Sequence, residues 1–274
     1  MKTTAQRATW AAPPQIASQD VRGRQLTLCL TIRGQSVVRK YYSGQPWQLG
    51  TARYWSEIAI NARAPLTYQL GRHLNEECAA AVLGGFGMPA SLAMAAYEQV
   101  RQAGLLHPEA RPSVTDLEDV LCRPLNVDGH VRRYRFPHQR AKRLASVLAH
   151  LRQGPAPQDP LALREWLLHV PGVGPKTASW IVRNHLGSDS VAIVDVHLVR
   201  AGLAAGVFDP GWRLPRDYEV FEQAFLQWAE HSEVSAALLD ATIWGALASA
   251  GELACDILGV TKLGQQPMPV WPCG

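Results

Sequence analysis

No stretch of about 18 uncharged apolar residues occurs in the 274-residue sequence, so a membrane-spanning helix is not expected. The opening Met1-Lys2-Thr3-Thr4 has no apolar run of the kind that drives secretion, and the expectation is a soluble protein of the cytoplasm. Cysteine is sparse. Cys29, Cys78, Cys122, Cys255 and Cys273 are odd in number and scattered, with no C-x-x-C pair to start a zinc or iron–sulfur site, and reduced thiols are the plain reading. Internal repeats and low-complexity tracts are missing too, and the composition excludes disorder, collagen and coiled coil. What is present is a globular composition: 47% hydrophobic, 18% charged and 8% aromatic residues can bury a sizeable core, as two ordinary domains or one large one. The net charge of +4 hides a segregation. Residues 1–200 hold 24 Lys/Arg against 14 Asp/Glu, whereas residues 201–274 hold 3 against 9, and the basic part suits a polyanion partner.

From Gln25 to Tyr42 two alternating β-branched and aromatic runs flank Arg33-Gly34-Gln35, the pattern of a β-hairpin. After Gly50 helical spacing takes over and is expected to persist, with helices near 51–63, 68–83, 90–103, 114–122, 138–152, 161–169, 175–186, 196–205, 217–231 and 235–250. Glycine and proline clusters break them, among them Gly84-Gly85-Phe86-Gly87-Met88-Pro89 and Asp209-Pro210-Gly211. Gln265 to Gly274 reads as a loose tail.

The most informative stretch is Leu168 to Arg200. A helix stops at Pro171-Gly172-Val173-Gly174, and another starts at Pro175, whose missing N–H is not needed at a first helical position. Two glycines in a short turn between helices leave backbone N–H groups of Gly172, Val173 and Gly174 unobstructed, with a helix dipole behind them, an arrangement that binds phosphate. An ordinary helical hairpin is the competing reading for a lone P-G-x-G. Lys176 changes the balance, because a cation in the first turn of a helix is unfavourable and its presence suggests use rather than stability. Nineteen residues later stands Asp195. A helix of about 11 residues advances about 16 Å, and eight extended residues can retrace about 26 Å, so Lys176 and Asp195 can face one cleft. Asp195 also precedes Val196-His197-Leu198-Val199-Arg200, where it reads as a helix N-cap, a role compatible with catalysis.

These residues resemble the helix-hairpin-helix superfamily of DNA glycosylases, which includes endonuclease III and the 8-oxoguanine glycosylases. Val170 to Lys176 is similar to the family hairpin, and Val194-Asp195-Val196-His197 to the segment that carries its catalytic aspartate; the Lys-to-Asp spacing resembles the 8-oxoguanine branch. Weaker likeness extends through Tyr134 to Lys142 and through Asp240 to Trp244, covering about residues 68–250, whereas residues 1–50 match nothing we can name. The resemblance implies a mainly α, two-domain fold with a small N-terminal β-hairpin: an extension at 1–50, one helical domain from 51–75 plus 191–264, and a hairpin domain at 76–190, followed by the 265–274 tail. It implies excision of a damaged or modified base from double-stranded DNA, 8-oxoguanine first, by a monomer that associates with the nucleoid when bound. The clustered cysteines of endonuclease III are lacking here, so no iron–sulfur cluster is expected, and no metal or other cofactor is needed for the chemistry; the resemblance does admit a monovalent cation held by hairpin carbonyls.

In that chemistry Asp195 stabilises positive charge developing on the sugar, and the Lys176 amine attacks C1′. His197 and Arg200 follow on the same helix and suit phosphates near the lesion. Base extrusion calls for a wedge, for which Phe86 and Met88 are candidates, and for a stacking face, for which Trp180 and Trp244 are candidates, with Asp240 reading the base edge. The competing readings are a Gly-rich turn that buries its own Phe86, and tryptophans at helical spacing that pack in the core. The basic run Arg132, Arg133, Arg135, Arg140, Lys142 and Arg143 suits either phosphates or a solvated helix face. Two rival functions stay open: the same chemistry on another base, such as a bulky modified pyrimidine in phage DNA with a defence role, and a non-catalytic hairpin module that only holds DNA.

Overall fold

The structure, a computed structural model, describes residues 21–62, 68–85 and 87–257, with side chains as far as residue 249. The chain opens with β1 (Gln25–Ile32) and β2 (Gln35–Tyr42), paired antiparallel with Ile32 opposite Gln35. The two-residue turn between them takes positive φ at both Arg33 and Gly34, +51° and +77°, which matches the right-handed twist of the strands. The exposed edge of β1 is closed by side chains: Gln227 donates to the Cys29 carbonyl and accepts its N–H, each at 2.8 Å, and Gln223 accepts the Thr31 N–H at 2.8 Å.

Helices follow: α1 (Ala52–Ile60), α2 (Leu74–Leu83), α3 (Ala90–Gln102) and α4 (Val114–Leu121), then α5 (Pro137–Leu151), α6 (Pro160–Leu168), α7 (Pro175–Leu186), α8 (Val196–Ala204), α9 (Tyr218–His231) and α10 (Ala236–Ile257). Local signals set several boundaries. Thr51, Ser113, Asp159 and Asp195 cap α1, α4, α6 and α8 through their side chains, Ser113 in a reciprocal capping box with Asp116. Pro137, Pro160 and Pro175 each stand at the start of a helix, where a missing N–H costs nothing.

Two expectations are corrected. Helical spacing does not persist after Gly50: β3 (Leu125–Val127) and β4 (His130–Arg132) form a second small hairpin, with Asp128 and Gly129 at φ +53° and +78° in its turn. Helix α2 starts at Leu74 rather than 68, because the carboxylates of its own first turn hold the preceding chain in another shape. Glu77 accepts the N–H groups of Leu70 (2.6 Å) and Gly71 (2.8 Å), and Glu76 accepts that of Arg72 (2.7 Å).

Buried apolar side chains collect in two clusters. One runs from Cys78 to Val191 and includes the faces of α2 to α7; the other joins Leu28, Leu30 and Tyr41 of the first hairpin and Trp55 of α1 to residues from Ala192 to Leu247. Between the clusters, buried Arg–carboxylate pairs link α6 to α9 through Arg164 and Glu222, and α7 to α10 through Arg183 and Asp240. Breaking such a pair strands a buried charge, so these contacts fix how the two halves meet. The segment with Lys176 and Asp195 lies along this seam.

Candidate functional site

Helix α6 ends at His169, and the chain turns through Gly172 at φ +85° into the Gly174 cap of α7. Gly172 is required twice over: positive φ disfavours a side chain, and a Cβ there would sit 3.0 Å from Arg143 Nε. Val173 is buried and spends its N–H on the Val170 carbonyl at 3.0 Å, so this N–H holds the turn together rather than facing outward. Among the described residues the N–H groups of Gly172 and Gly174 have no acceptor, and with the first turn of α7 they leave donors for an anion.

Lys176 is half-buried in that first turn. Helix α7 ends at Gly187, whose φ of +62° turns the chain back, and the buried residues Val191 to Val194 return to Asp195. Asp195 is half-buried, and one of its oxygens accepts the N–H groups of His197 (2.8 Å) and Leu198 (2.9 Å). Its carboxylate is therefore held at the positive end of α8. Lys176 and Asp195 both act electrostatically on His197 and on Asp240, so these four side chains share one neighbourhood. Burial keeps the His197 imidazole below its ordinary pKa, helped by Arg200 and Lys176 and opposed by Asp195. His197 Nδ1 and Arg200 Nε are both buried without a hydrogen-bond partner among the described residues, open positions beside the site.

The backbone leading to Asp195 is pinned by α9. Tyr218 donates to the Ala192 carbonyl at 2.7 Å and accepts the Val194 N–H at 3.2 Å, while Glu222 accepts the Ala192 N–H at 2.9 Å and the Ser179 hydroxyl at 3.2 Å. Arg164 completes this buried set. On the other side Asp240 is buried against Arg183, whose guanidinium also lies 5.1 Å from the centre of the Tyr68 ring. One turn along α10, Trp244 is 46% exposed.

Residues 90–234 match the 8-oxoguanine DNA glycosylase family, in its helix-hairpin-helix form, over more than half of the chain. The chain belongs to that family. It is a DNA glycosylase of the DNA-binding helix-hairpin-helix type. Its fold is shared with endonuclease III captured in a covalent intermediate with DNA, at 18% identity over 70% of this chain and 81% of that one, with a TM-score of 0.52. Matches to the 8-oxoguanine DNA glycosylases of Methanocaldococcus jannaschii (21% identity, 63% and 77% coverage, TM-score 0.48) and Thermotoga maritima (22%, 72% and 86%, TM-score 0.49) accompany it.

The remaining site candidates of the glycosylase are scattered in character. Phe86 lies outside the described residues. Met88 and Trp180 are half-buried against the first cluster, and the Trp180 ring edge comes within 3.2 Å of where a Cβ on Gly84 would stand. Asp240 is engaged by Arg183 and is not a free reader, whereas Trp244 offers an open face. The basic run divides. Arg140 donates to the Val82 carbonyl (2.9 Å), Arg135 to that of Gly87 (2.7 Å), and Tyr134 to that of Leu83 (2.6 Å), so this segment clamps the α2–α3 turn. Residues that the sequence did not single out are Tyr68, Arg164, Ser179, Arg183, Tyr218 and Glu222. None carries a local signal, because their partners come from distant parts of the chain.

Burial pushes the Asp240 carboxyl up to about 7 against the opposing pull of Arg183. A folded-state pKa above the ordinary carboxyl value means that the folded protein binds more protons than the unfolded chain from about pH 4 to about pH 7, so stability falls as pH rises across that window. Asp240→Asn removes this titration. Urea unfolding at pH 5 and pH 8 is expected to show the variant losing less stability than the parent between the two; equal losses would refute the assignment.

Proposed function

We propose that the enzyme is a bifunctional glycosylase in which Lys176 is the nucleophile and Asp195 the electrostatic partner. The observation that carries this reading is that both side chains, drawn from opposite ends of a helix-and-return segment, bear on the same two neighbours, His197 and Asp240, while staying accessible. The neutral Lys176 amine attacks C1′ of an extruded nucleotide. The N-glycosidic bond breaks with its electron pair leaving on the base, which takes up a proton, and Asp195 offsets the positive charge on the sugar as that bond lengthens. Loss of the amine proton and opening of the sugar ring give a Schiff base; removal of a C2′ proton then expels the 3′ phosphate and cuts the strand. These steps need no metal or other cofactor.

The partner is double-stranded DNA, engaged by a monomer through the Gly172 and Gly174 N–H groups, with Arg200 and His197 meeting the phosphates beside the lesion. The open Trp244 face stacks the extruded base, and Asp240, fixed by Arg183, sets the polarity of the pocket floor. The first substrate is 8-oxoguanine, the base named by the family. A panel of duplexes, each bearing a single modified base, tests this. Release of 8-oxoguanine with strand cleavage is expected. Cleavage confined to a modified pyrimidine would transfer the same chemistry to that base, and binding without an abasic product from any duplex would overturn the enzyme assignment.

A further inference from the structure

The β3–β4 hairpin projects a group of side chains that the chemistry at Lys176 does not use. His130, Val131, Arg132 and Arg133 are all exposed, Val131 at 76%, although it is an apolar residue in a strand only three residues long. Among the described residues the side chains of His130, Arg132 and Arg133 have neither an ion pair nor a hydrogen bond. Their neighbours in sequence behave differently, because Tyr134, Arg135 and Arg140 are committed to the carbonyls of the α2–α3 turn. The ribbon is thus anchored at its base and free at its tip. Helix α5 begins five residues after Arg132, and Lys142 stands exposed on it, also without a side-chain partner. Arg143, the next residue, lies along Gly172 with its Cγ, Cδ and Nε all within 3.1 Å of where a Cβ would be, and among the described residues it has no acidic partner. At 1.5 Å per residue Arg143 is about 9 Å along the helix from Pro137, so cationic groups run from the ribbon along α5 to the helix-hairpin-helix turn.

From this placement we infer that the β3–β4 ribbon and the adjoining side of α5 form a second DNA-backbone contact, continuous with the hairpin, in which Arg132, Arg133, Lys142 and Arg143 neutralise phosphates of the duplex flanking the lesion. Charge complementarity and continuity with the hairpin argue for this occupant. Four cations that have no carboxylate partner among the described residues are matched by a polyanion, and an isolated exposed valine beside them fits against sugar carbons in a groove. The inference rests on the enzyme being a DNA glycosylase, and its test separates the two. Full-length protein, the Arg132→Ala/Arg133→Ala variant and the Arg132→Lys/Arg133→Lys variant are titrated against an unmodified duplex by fluorescence anisotropy from 50 to 300 mM KCl. Each lost phosphate contact removes about 0.9 from the slope of log affinity against log salt, so the alanine pair is expected to lower it by about 2 and the lysine pair to leave it near the parent value. Arg143→Met, which keeps an aliphatic chain on Gly172, is expected to lower the slope by about 1. Arg111→Ala, whose guanidinium is already bonded to the Pro108 and Ala110 carbonyls, serves as the unaffected control. An alanine pair with the parent's affinity and slope overturns the inference while leaving a parent that still excises its base; a parent with no excision from any duplex overturns the glycosylase mechanism instead.

Discussion

Replacing Lys176 with Gln is expected to abolish the borohydride-trapped protein–DNA adduct and to reduce strand cleavage by on the order of 10³-fold or more, equivalent to about 4 kcal/mol of barrier. Gln keeps a polar side chain, one atom shorter and uncharged, but has no amine to attack C1′, so no Schiff base can form and none can be reduced. The position supports a specific loss rather than a collapse. Lys176 is half-buried in the first turn of α7, and the packing of that helix is carried by Ala178, Ile181 and Val182, which are fully buried. Thermal unfolding of the variant should therefore stay within a few degrees of the parent. Covalent trapping that survives in Lys176→Gln would assign the nucleophile to another residue, and the mechanism proposed for this enzyme would fail with it.

The hairpin and its following aspartate were legible because their signals are local. A proline at the first helical position, glycines in the turn and an N-cap before an apolar helix each act within a few residues, and the structure puts α7 at Pro175–Leu186 as the spacing predicts. The first β-hairpin was legible for a related reason, since two eight-residue runs show alternation clearly. Strands of three residues do not, and the only trace of the second hairpin in the sequence is Asp128-Gly129, a dipeptide suited to its turn. What could not be read was the use of charge. Arg183 and Asp240 pair across 57 positions, and Arg164 and Glu222 across 58, so neither partner announces the other in sequence. The same is true of the basic run, which reads as one block but divides into residues that clamp carbonyls and residues that project. Asp240 is an example: the sequence offers it as a polar reader of the base edge, and the guanidinium that engages it comes from Arg183 on α7, the helix that also carries Lys176.

Asp195→Asn is the complementary experiment, and its expected signature differs from that of Lys176→Gln. The amide nearly preserves the volume and can still accept the His197 and Leu198 N–H groups through its oxygen, so the α8 cap survives at a cost of roughly 1 kcal/mol or less. What disappears is the negative charge beside the sugar. Removing one fixed stabilising group from a transition state that develops charge costs about 10²–10³-fold, roughly 3–4 kcal/mol, and here the group carries a full charge, so the upper end is expected for base release under single-turnover conditions. Affinity for a duplex carrying a stable abasic analogue should change little, because the hairpin N–H groups and Arg200 are untouched, and losing a negative charge near phosphate can only help binding. The variant should thus bind as well as the parent or better and release base far more slowly. A preformed abasic site presents no glycosidic bond to break, so Asp195→Asn should cut it with a smaller deficit than it shows on the modified base, whereas Lys176→Gln should fail equally on both. If Asp195→Asn instead loses stability by several kcal/mol and releases base at the parent's rate once folded, Asp195 is a helix cap alone, and the charge that stabilises the sugar must be sought elsewhere along the seam, with the buried carboxylate of Asp240 the next group to replace.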